Sequence, residues 1–378
     1  MAPILDGIVV ADLSRVLAGP LVTVMLADLG ADVIKVERPG AGDDTRRWGP
    51  PWTARTSAYF ESANRSKRSV EFDLDDPDDR AAARALIARA DVLVENFRTG
   101  ALDAKGFGAA ELAELNPRLI HCSITGFGSG EGAALPGYDF LVQAVGGLMS
   151  ITGEPEGDPM KVGVALVDVL TAKDAVAGVL AALYERERSG RGQRVEVNLL
   201  SSLLGSLANQ GATFLATGEA PSRLGNTHPS IAPYETLRCR DGLLAVACGN
   251  DGQFARLAAT VGLTGLDADP RFATNPERVR NRAELVRLLE GALAEETAQT
   301  WVDRLTGAGV PAGTVGDIGS GFALAERLGL APRVPVGEGA IDQVRNPIRF
   351  SRTPITDYRR PPALGEHTDA VRAELAQD

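Results

Sequence analysis

The strongest constraint on this chain is the alternation of short apolar runs with amphipathic stretches along its first third. GIVVADLS, from Gly7, reads as a buried strand. Ala18 to Leu29 follows with helical apolar spacing and stops at Gly30, and DVIKVE, Asp32 to Glu37, reads as a second strand. Strand, helix and strand at this spacing form a βαβ unit, whose right-handed crossover sets the two strands parallel. The pattern repeats. RSVEFDL is a strand with Val70 and Phe72 alternating, and Asp76-Pro77 opens a helix to about Ala90, with Asp as N-cap and Pro in the first helical position. ADVLVENF is a strand, Gly108 to Leu115 a short helix, and RLIHCSI another strand. Such alternation predicts an α/β fold built on a doubly wound parallel sheet.

Beyond the loop GFGSGEG, helices are expected over Tyr138 to Met149, Asp168 to Arg188 and Ser201 to Thr217, with RVEVNLL as a strand between the last two. Val176, Val179, Leu180 and Leu183 mark the longest of these at helical spacing. The pattern changes near Gly218. PSRLGNTHPSIAPYE carries three prolines and no periodicity, so it reads as a linker or binding loop. LRCRDGLLAVACG predicts a hairpin with a tight turn at Asp241-Gly242. Helices follow at about Gln253 to Val261, Pro276 to Ala294 and Thr300 to Ala308. The expected division is a large Rossmann-like domain of residues 1–217 and 330–378, plus a linker and smaller α+β domain at 218–329. The tail from Val344 supplies a strand-like run and a final helix that return to the first domain.

Charge and composition narrow the function. A net charge of −11 and an isoelectric point of about 5.0 argue against nucleic acid as a partner. They do not exclude an anionic ligand, because clustered arginines outweigh a distant net charge. Cys122, Cys239 and Cys248 are too scattered for a disulfide framework or a CxxC metal site. The opening MAPILDGIVVADL lacks the basic region of a signal peptide, and no run of about 20 apolar residues suggests a membrane span. The expectation is a reduced, soluble, cytoplasmic protein without metal.

Several chemistries lack their motifs. A nicotinamide dehydrogenase needs GxGxxG at the first strand-to-helix turn, where the backbone meets a pyrophosphate. Here that turn is LSRVLAGP, with one glycine, although Glu37 stands where a ribose-binding acid would. There is no GxxxxGK[ST], HExxH or GxSxG, and only His121, His228 and His367 are available for a triad. Activity is expected to rest on carboxylates, backbone amides and arginines.

Asp168 stands between an apolar run and the longest predicted helix. One reading makes it an N-cap, accepting from first-turn amides. The other makes it a nucleophile: the helix macrodipole keeps it ionised, and a carboxylate attacks a carbonyl that carries a good leaving group such as a thiolate. The small residues Ala172, Ala175, Ala177, Gly178, Ala181 and Ala182 would let a neighbouring backbone come close.

Ordered along the chain are LDGIVVADLSRVLAGP, LADLGADVIKVERPGAGDDTR, NRSKRSVEFDL, ADVLVENFRTG, LNPRLIHCSITGFG, GYDFLVQAVGG, the segment around Asp168, ALYERERSGRGQRVEV, GNTHPSIAPYE and LGEHTD. Together they resemble the family III CoA-transferases, the formyl-CoA and carnitine-CoA transferase family, over most of the chain. The resemblance implies that Asp168 attacks an acyl-CoA and relays CoA to a carboxylic acid through an aspartyl anhydride and an aspartyl-CoA thioester. Backbone amides near the start of its helix would steady the oxyanion. Coenzyme A would enter and leave as substrate and product. Arg15, Leu17 and Ala18 match the first CoA-contacting turn, and Arg38 matches an arginine that meets the nucleotide phosphates. Phe72, Leu74 and Asp75 match the segment flanking the adenine, and Asn96, Phe97 and Arg98 match the next CoA turn. Tyr138 and Asp139 match a segment near the acyl group, where Asp139 could assist or could cap the helix that follows. The family often has a basic residue where this chain has Ala104, for which the adjacent Lys105 is the substitute. A glycine-rich loop that covers the site in formyl-CoA transferases is replaced by GNTHPSIAPYE, whose Asn226 and His228 are candidates for the acyl group. This change favours larger or dicarboxylic acids over formyl or oxalyl groups. The resemblance also implies an interlocked homodimer, each chain threading the other.

The nearest rival is a relative, the α-methylacyl-CoA racemases, which pair a His with an Asp in the motif GHD. Here the motif reads Gly137, Tyr138, Asp139, and His121 belongs to a strand, so two-base proton transfer lacks a partner. A non-catalytic acyl-CoA-binding protein is the rival from another class.

Overall fold

The computed structural model describes residues 2–377. They divide into two units. The first holds the chain up to Leu148, Lys161–Glu219 and the tail from Ala331; the second holds Met149–Met160 and Ala220–Leu330. Met149–Met160 is thus a segment that a division at residue 218 leaves with the large domain.

The first unit opens with β1 (Val9–Asp12), α1 (Ala18–Asp28), β2 (Asp32–Glu37), α2 (Ala58–Asn64) and β3 (Arg68–Glu71). It continues with α3 (Pro77–Arg89), β4 (Val92–Glu95), α4 (Ala109–Leu115), β5 (Ile120–Thr125) and α5 (Asp139–Val145). Then come α6 (Leu166–Ser189), β6 (Gln193–Asn198), α7 (Leu199–Ser206) and α8 (Ala208–Thr217). The sheet order is β3-β2-β1-β4-β5-β6, and every neighbouring pair is parallel. This is the doubly wound order expected from the alternation, and it reverses between β1 and β4.

Period-2 alternation explains how the sheet is covered. Val10, Val33, Val92 and Val94 face a core shared with Val22 and Leu26 of α1 and with Ala172, Ala175 and Val179 of α6. Ala11, Ile34 and Leu93 face the opposite core, with Leu86 and Ile87 of α3 and Leu112 of α4. Fully burying each such Val or Leu contributes about 1.5–3 kcal/mol. The small residues of α6 serve close packing: a Cβ at Gly178 would lie 2.8 Å from Val195 Cγ1 of β6.

In the second unit β7 (Tyr234–Arg238), β8 (Leu243–Ala247), α9 (Asp251–Thr260), α10 (Asn275–Arg280) and α11 (Arg282–Leu293) are followed by α12 (Ala298–Gly307), β9 (Ala312–Thr314) and α13 (Ile318–Arg327). β7, β8 and β9 form an antiparallel sheet. Leu237, Leu244, Phe254, Leu285, Leu289 and Trp301 fill its core. The tail adds the short pair β10 (Arg333–Val334) and β11 (Gln343–Val344), and α14 (Thr368–Leu375), whose Val371 packs into the core beside α3.

The local differences have physical causes. The expected helix over Ser201 to Thr217 is two helices, because Ala208 takes a left-handed φ of 46°. The expected helix from Pro276 is likewise split at Asn281, into α10 and α11. The hairpin turn spans Cys239 to Gly242, closed by Cys239 N–H donating to the Gly242 carbonyl at 2.8 Å, so Asp241-Gly242 is not a two-residue turn. The helix expected from Tyr138 stops at Val145. Among the described residues no helix is long and apolar enough to cross a membrane.

Candidate active site

The carboxyl ends of β1 and β4 flank the point where strand order reverses, the usual ligand crevice of an open α/β sheet. The turns that follow them are joined by one side chain. Asn96 accepts from Arg15 N–H at 2.8 Å and donates to the Arg15 carbonyl at 2.7 Å, as a paired strand would. Asn96, an expected CoA contact, uses its amide oxygen and nitrogen to clamp the first turn and also lines the cavity described next. Leu17 and Ala18 then open α1, which has no side-chain cap and no acid in its first turn. A helix start of this kind leaves backbone donors for a ligand.

A cavity of about 210 Å³ lies against these turns. It brings together Arg15, Leu17, Ala18, Asn96, Phe97, Arg98, Tyr138, Asp139 and Asp168 from the sequence expectations. Its wall includes Gly126 and Gly137, whose backbones nearly touch: a Cβ on Gly137 would lie 2.4 Å from Gly126 Cα. That approach folds the 126–137 loop back beside the cavity. A second cavity of about 170 Å³ collects Arg38, Phe72, Leu74, Asp75 and Lys105, and shares Arg15 and Phe97 with the first. The Arg15 guanidinium lies over the Phe97 ring, 5.6 Å from its centre. Arg38 pairs with Asp44 at 2.8 Å, and Lys105 pairs with Asp75. Phe72 is almost fully buried, its ring under Arg372.

Asp168 departs from its sequence reading in three ways. It is not the N-cap: α6 begins at Leu166, and Asp168 stands in the first turn. The cap is Asp139, whose carboxylate accepts from Val167 N–H at 2.7 Å and from Asp168 N–H at 3.3 Å. Asp139 therefore caps α6 from another element rather than the helix it begins, and the amides expected to steady an oxyanion are already engaged. Third, the macrodipole does not decide the charge state. Burial, reinforced by the Asp139 carboxylate, pushes Asp168 up to about 7. Gln143 completes the arrangement, donating to Asp139 at 2.6 Å and accepting from Val162 N–H at 2.9 Å.

Tyr59 of α2 carried no sequence signal, since nothing in its local pattern points toward Asp168. Burial, with the Asp168 and Asp139 charges behind it, pushes its phenol up to about 12, so it stays a proton donor near both carboxylates. Its ring packs edge-on against Trp48, with centres 5.3 Å apart. Asn226 and His228 belong to the second unit and are engaged locally. Asn226 donates to Thr236 Oγ1 at 3.2 Å, and His228 accepts from Ser230 N–H and packs against Tyr234. His121 is buried in β5, 3.6 Å from Glu95. Among the described residues no His, Cys, Asp and Glu cluster could hold a metal ion.

Residues 5–368 match CoA-transferase family III. The chain is 44% identical to the succinate–glutarate CoA-transferase of Agrobacterium fabrum, over 99% of this chain and 96% of the relative. It is 40% identical to the acetyl-CoA:oxalate CoA-transferase of Acetobacter aceti, over 98% and 95%. A crystal structure of a CAIB/BAIF family protein from Brucella suis, 45% identical, superposes with a TM-score of 0.89 over 99% of this chain and all of that one. A full-length match of sequence and fold, with the expected turns gathered around one carboxylate, leaves no ambiguity of family: the chain belongs to CoA-transferase family III and is a CoA-transferase.

Proposed function

We propose that Asp168 is the nucleophile that passes CoA from an acyl-CoA to a free carboxylic acid, with dicarboxylic acids as the substrates. The observation that carries this reading is a partly buried carboxylate, raised to about 7, in a cavity walled by the turns after β1 and β4. A desolvated carboxylate of raised basicity is a better nucleophile than one in water. Its oxygen attacks the thioester carbonyl, the C–S bond breaks, and CoA leaves as the thiolate. The product is a mixed anhydride of Asp168 and the donor acid. The thiolate attacks the Asp168 carbonyl and releases the donor carboxylate, leaving an aspartyl-CoA thioester. The acceptor carboxylate runs both steps in reverse, so the thioester energy is conserved and neither ATP nor a metal is required.

The amides of Leu17 and Ala18 are the donors we assign to the acyl oxygen, in place of those Asp139 occupies. Donors of this kind are worth about 2.7–4 kcal/mol each in acyl transfer. Arg15, Arg38, Phe72, Leu74, Asp75, Phe97, Arg98 and Lys105 are assigned to CoA, Tyr138 and Asp139 to the neighbourhood of the acyl group. Asn226 and His228 are the candidates for the distal end of the acid. The names of the relatives, which include succinate–glutarate and succinyl-CoA:mesaconate CoA-transferases, support succinyl-CoA as donor and a second dicarboxylate as acceptor. Leu204, Phe214 and Leu215, all exposed along α7 and α8, support a partner surface, and we assign it to an interlocked homodimer working in the cytoplasm.

The test is chemical trapping. Protein incubated with succinyl-CoA is quenched with hydroxylamine, digested and mapped by mass spectrometry. A hydroxamate at Asp168 is expected. CoA exchange between acids that proceeds with no modification at that side chain would end the proposal.

A further inference from the structure

We propose that Asp43, backed by Lys35, is a positioning residue that latches the Arg15–Leu17 turn in the shape that acyl-CoA requires. The inference rests on the reading above, in which this turn contacts CoA. The turn contains a conformational anomaly: Val16 has φ of 69°, in the left-handed region. A β-branched residue there is a genuine outlier, and such strain persists only where surrounding contacts impose it.

The contacts are specific. Val16 N–H points at the Asp43 carboxylate, 3.2 and 3.4 Å from its two oxygens. Lys35 Nζ lies 3.0 Å from Asp43 and donates to the Ser14 carbonyl at 2.8 Å, so it ties the latch to the residue before the turn. Both side chains are wholly buried. Thr45 holds Asp43 from the other side, through its N–H at 3.0 Å and its hydroxyl at 2.7 Å. With Asn96 on both backbone polar atoms of Arg15, the backbone from Ser14 to Val16 is fixed, and Leu17 and Ala18 follow in the cavity wall. Asp43 and Lys35 stand behind the second cavity, beside the residues assigned to CoA, and do not line the Asp168 cavity. With both side chains fully buried, their effect on the chemistry at Asp168 passes through the turn. Misplacing groups by about 1 Å costs on the order of a hundredfold in rate.

A double-mutant cycle separates this role from general stability. Glycine adopts φ above zero without strain, so Val16→Gly removes most of the need for the latch. Asp43→Asn keeps the shape but loses the charge that holds Val16 N–H and Lys35. In the wild-type background Asp43→Asn is expected to raise the Kd for free CoA and lower kcat/KM for succinyl-CoA by about tenfold or more. In the Val16→Gly background the same change should cost less than about threefold. Unfolding midpoints measured alongside show that each variant is folded. Equal losses in the two backgrounds, or no loss in the first, would overturn the latch. Should Asp43→Asn not accumulate as folded protein, hydrogen exchange at the Val16 amide of the wild type decides: strong protection supports the latch, and exchange at the rate of an open loop rejects it. Wild-type protein that transfers CoA yet shows no coupling between positions 16 and 43 defeats the latch alone. Wild-type protein with no affinity for CoA defeats the reading beneath it as well.

Discussion

The first unit buries charge in two places, to opposite effect. Beneath the β1 turn, Asp12, Lys35, Asp43 and Lys67 are all buried and mutually neutralised. Asp12 meets Lys67 at 3.0 Å and accepts from Thr23 at 2.6 Å. Burial alone would raise Asp12, yet Lys67, Lys35 and two hydroxyls hold it at about 2. Burial pushes Lys67 down to about 8, since one Asp12 cannot repay it while Lys35 repels it. At the start of α6, by contrast, Asp139 and Asp168 stand together without a cation paired to either among the described residues, and Asp168 is raised to about 7. Asp139 has amides to accept from, whereas Asp168 has burial and a like charge. Paired buried charge sets shape; the unpaired buried charge is the one the proposed reaction uses.

Asp168→Asn should break the comparison most visibly. The amide fills the same space but cannot attack a thioester. Exchange of CoA between the proposed dicarboxylic substrates should fall by at least about a thousandfold, while free CoA still binds in calorimetry. The same variant should be more stable at alkaline pH. The folded carboxyl binds its proton more tightly than the unfolded one, about 7 against 3.8. Its cost to the wild type is therefore absent below about pH 4, grows as pH rises and is complete above about 7. Discounted for the partial exposure of Asp168, the gain at pH 8 is about 1–2 kcal/mol in denaturant unfolding, vanishing near pH 4. A variant no more stable than wild type at pH 8 would show that the site is not strained by its charge.

Lys67→Met tests the neutralised cluster. Removing one partner of a buried pair leaves the other uncompensated, a loss of about 3–5 kcal/mol. The lower end is expected, because the ammonium is itself costly to bury and Lys35 still faces Asp12. Denaturant unfolding at pH 7 measures it. A neutral or stabilising result would mean that Lys67 is retained for something other than the integrity of the turn.

The same contrast explains what the sequence could disclose. The parallel sheet was legible because buried strands and amphipathic helices each bear a period, and the proline-rich break after Gly218 flagged a change of pattern. Asp168 drew attention as a candidate through its place at the start of an apolar helix and its matched surroundings, and it does line the cavity from the first turn of α6. Its cap was not, because Asp139 reaches α6 from 28 residues upstream in sequence, and nothing local separates a residue that caps its own helix from one that caps another. The Val16 latch was equally hidden: a valine with positive φ leaves no compositional mark, and Asp43 looks like any loop aspartate. Tyr59 fell in the turn-rich stretch before β3, where Ser57 caps α2 by accepting from Phe60 N–H, a signal lost among prolines and threonines.

The finest test concerns how much of the Asp168 shift belongs to its neighbour. Asp139→Asn removes the like charge and keeps a side-chain oxygen to accept from the α6 amides. Since burial is the larger cause, the carboxyl should remain above its ordinary range and move down by about a unit or less. The proposed reaction uses the ionised form, so the acid limb of the kcat profile, expected near 7 in the wild type, should shift to lower pH. A full unit would raise the ionised fraction at pH 6 by about fivefold. The absolute rate at the plateau should fall, because a neutral amide caps Val167 less well than a carboxylate does. The two effects separate cleanly, as one moves the position of the limb and the other its height. A limb that stays in place while the plateau drops would mean that Asp139 acts only as a cap. The contrast between paired and unpaired charge would then reduce to a contrast in burial.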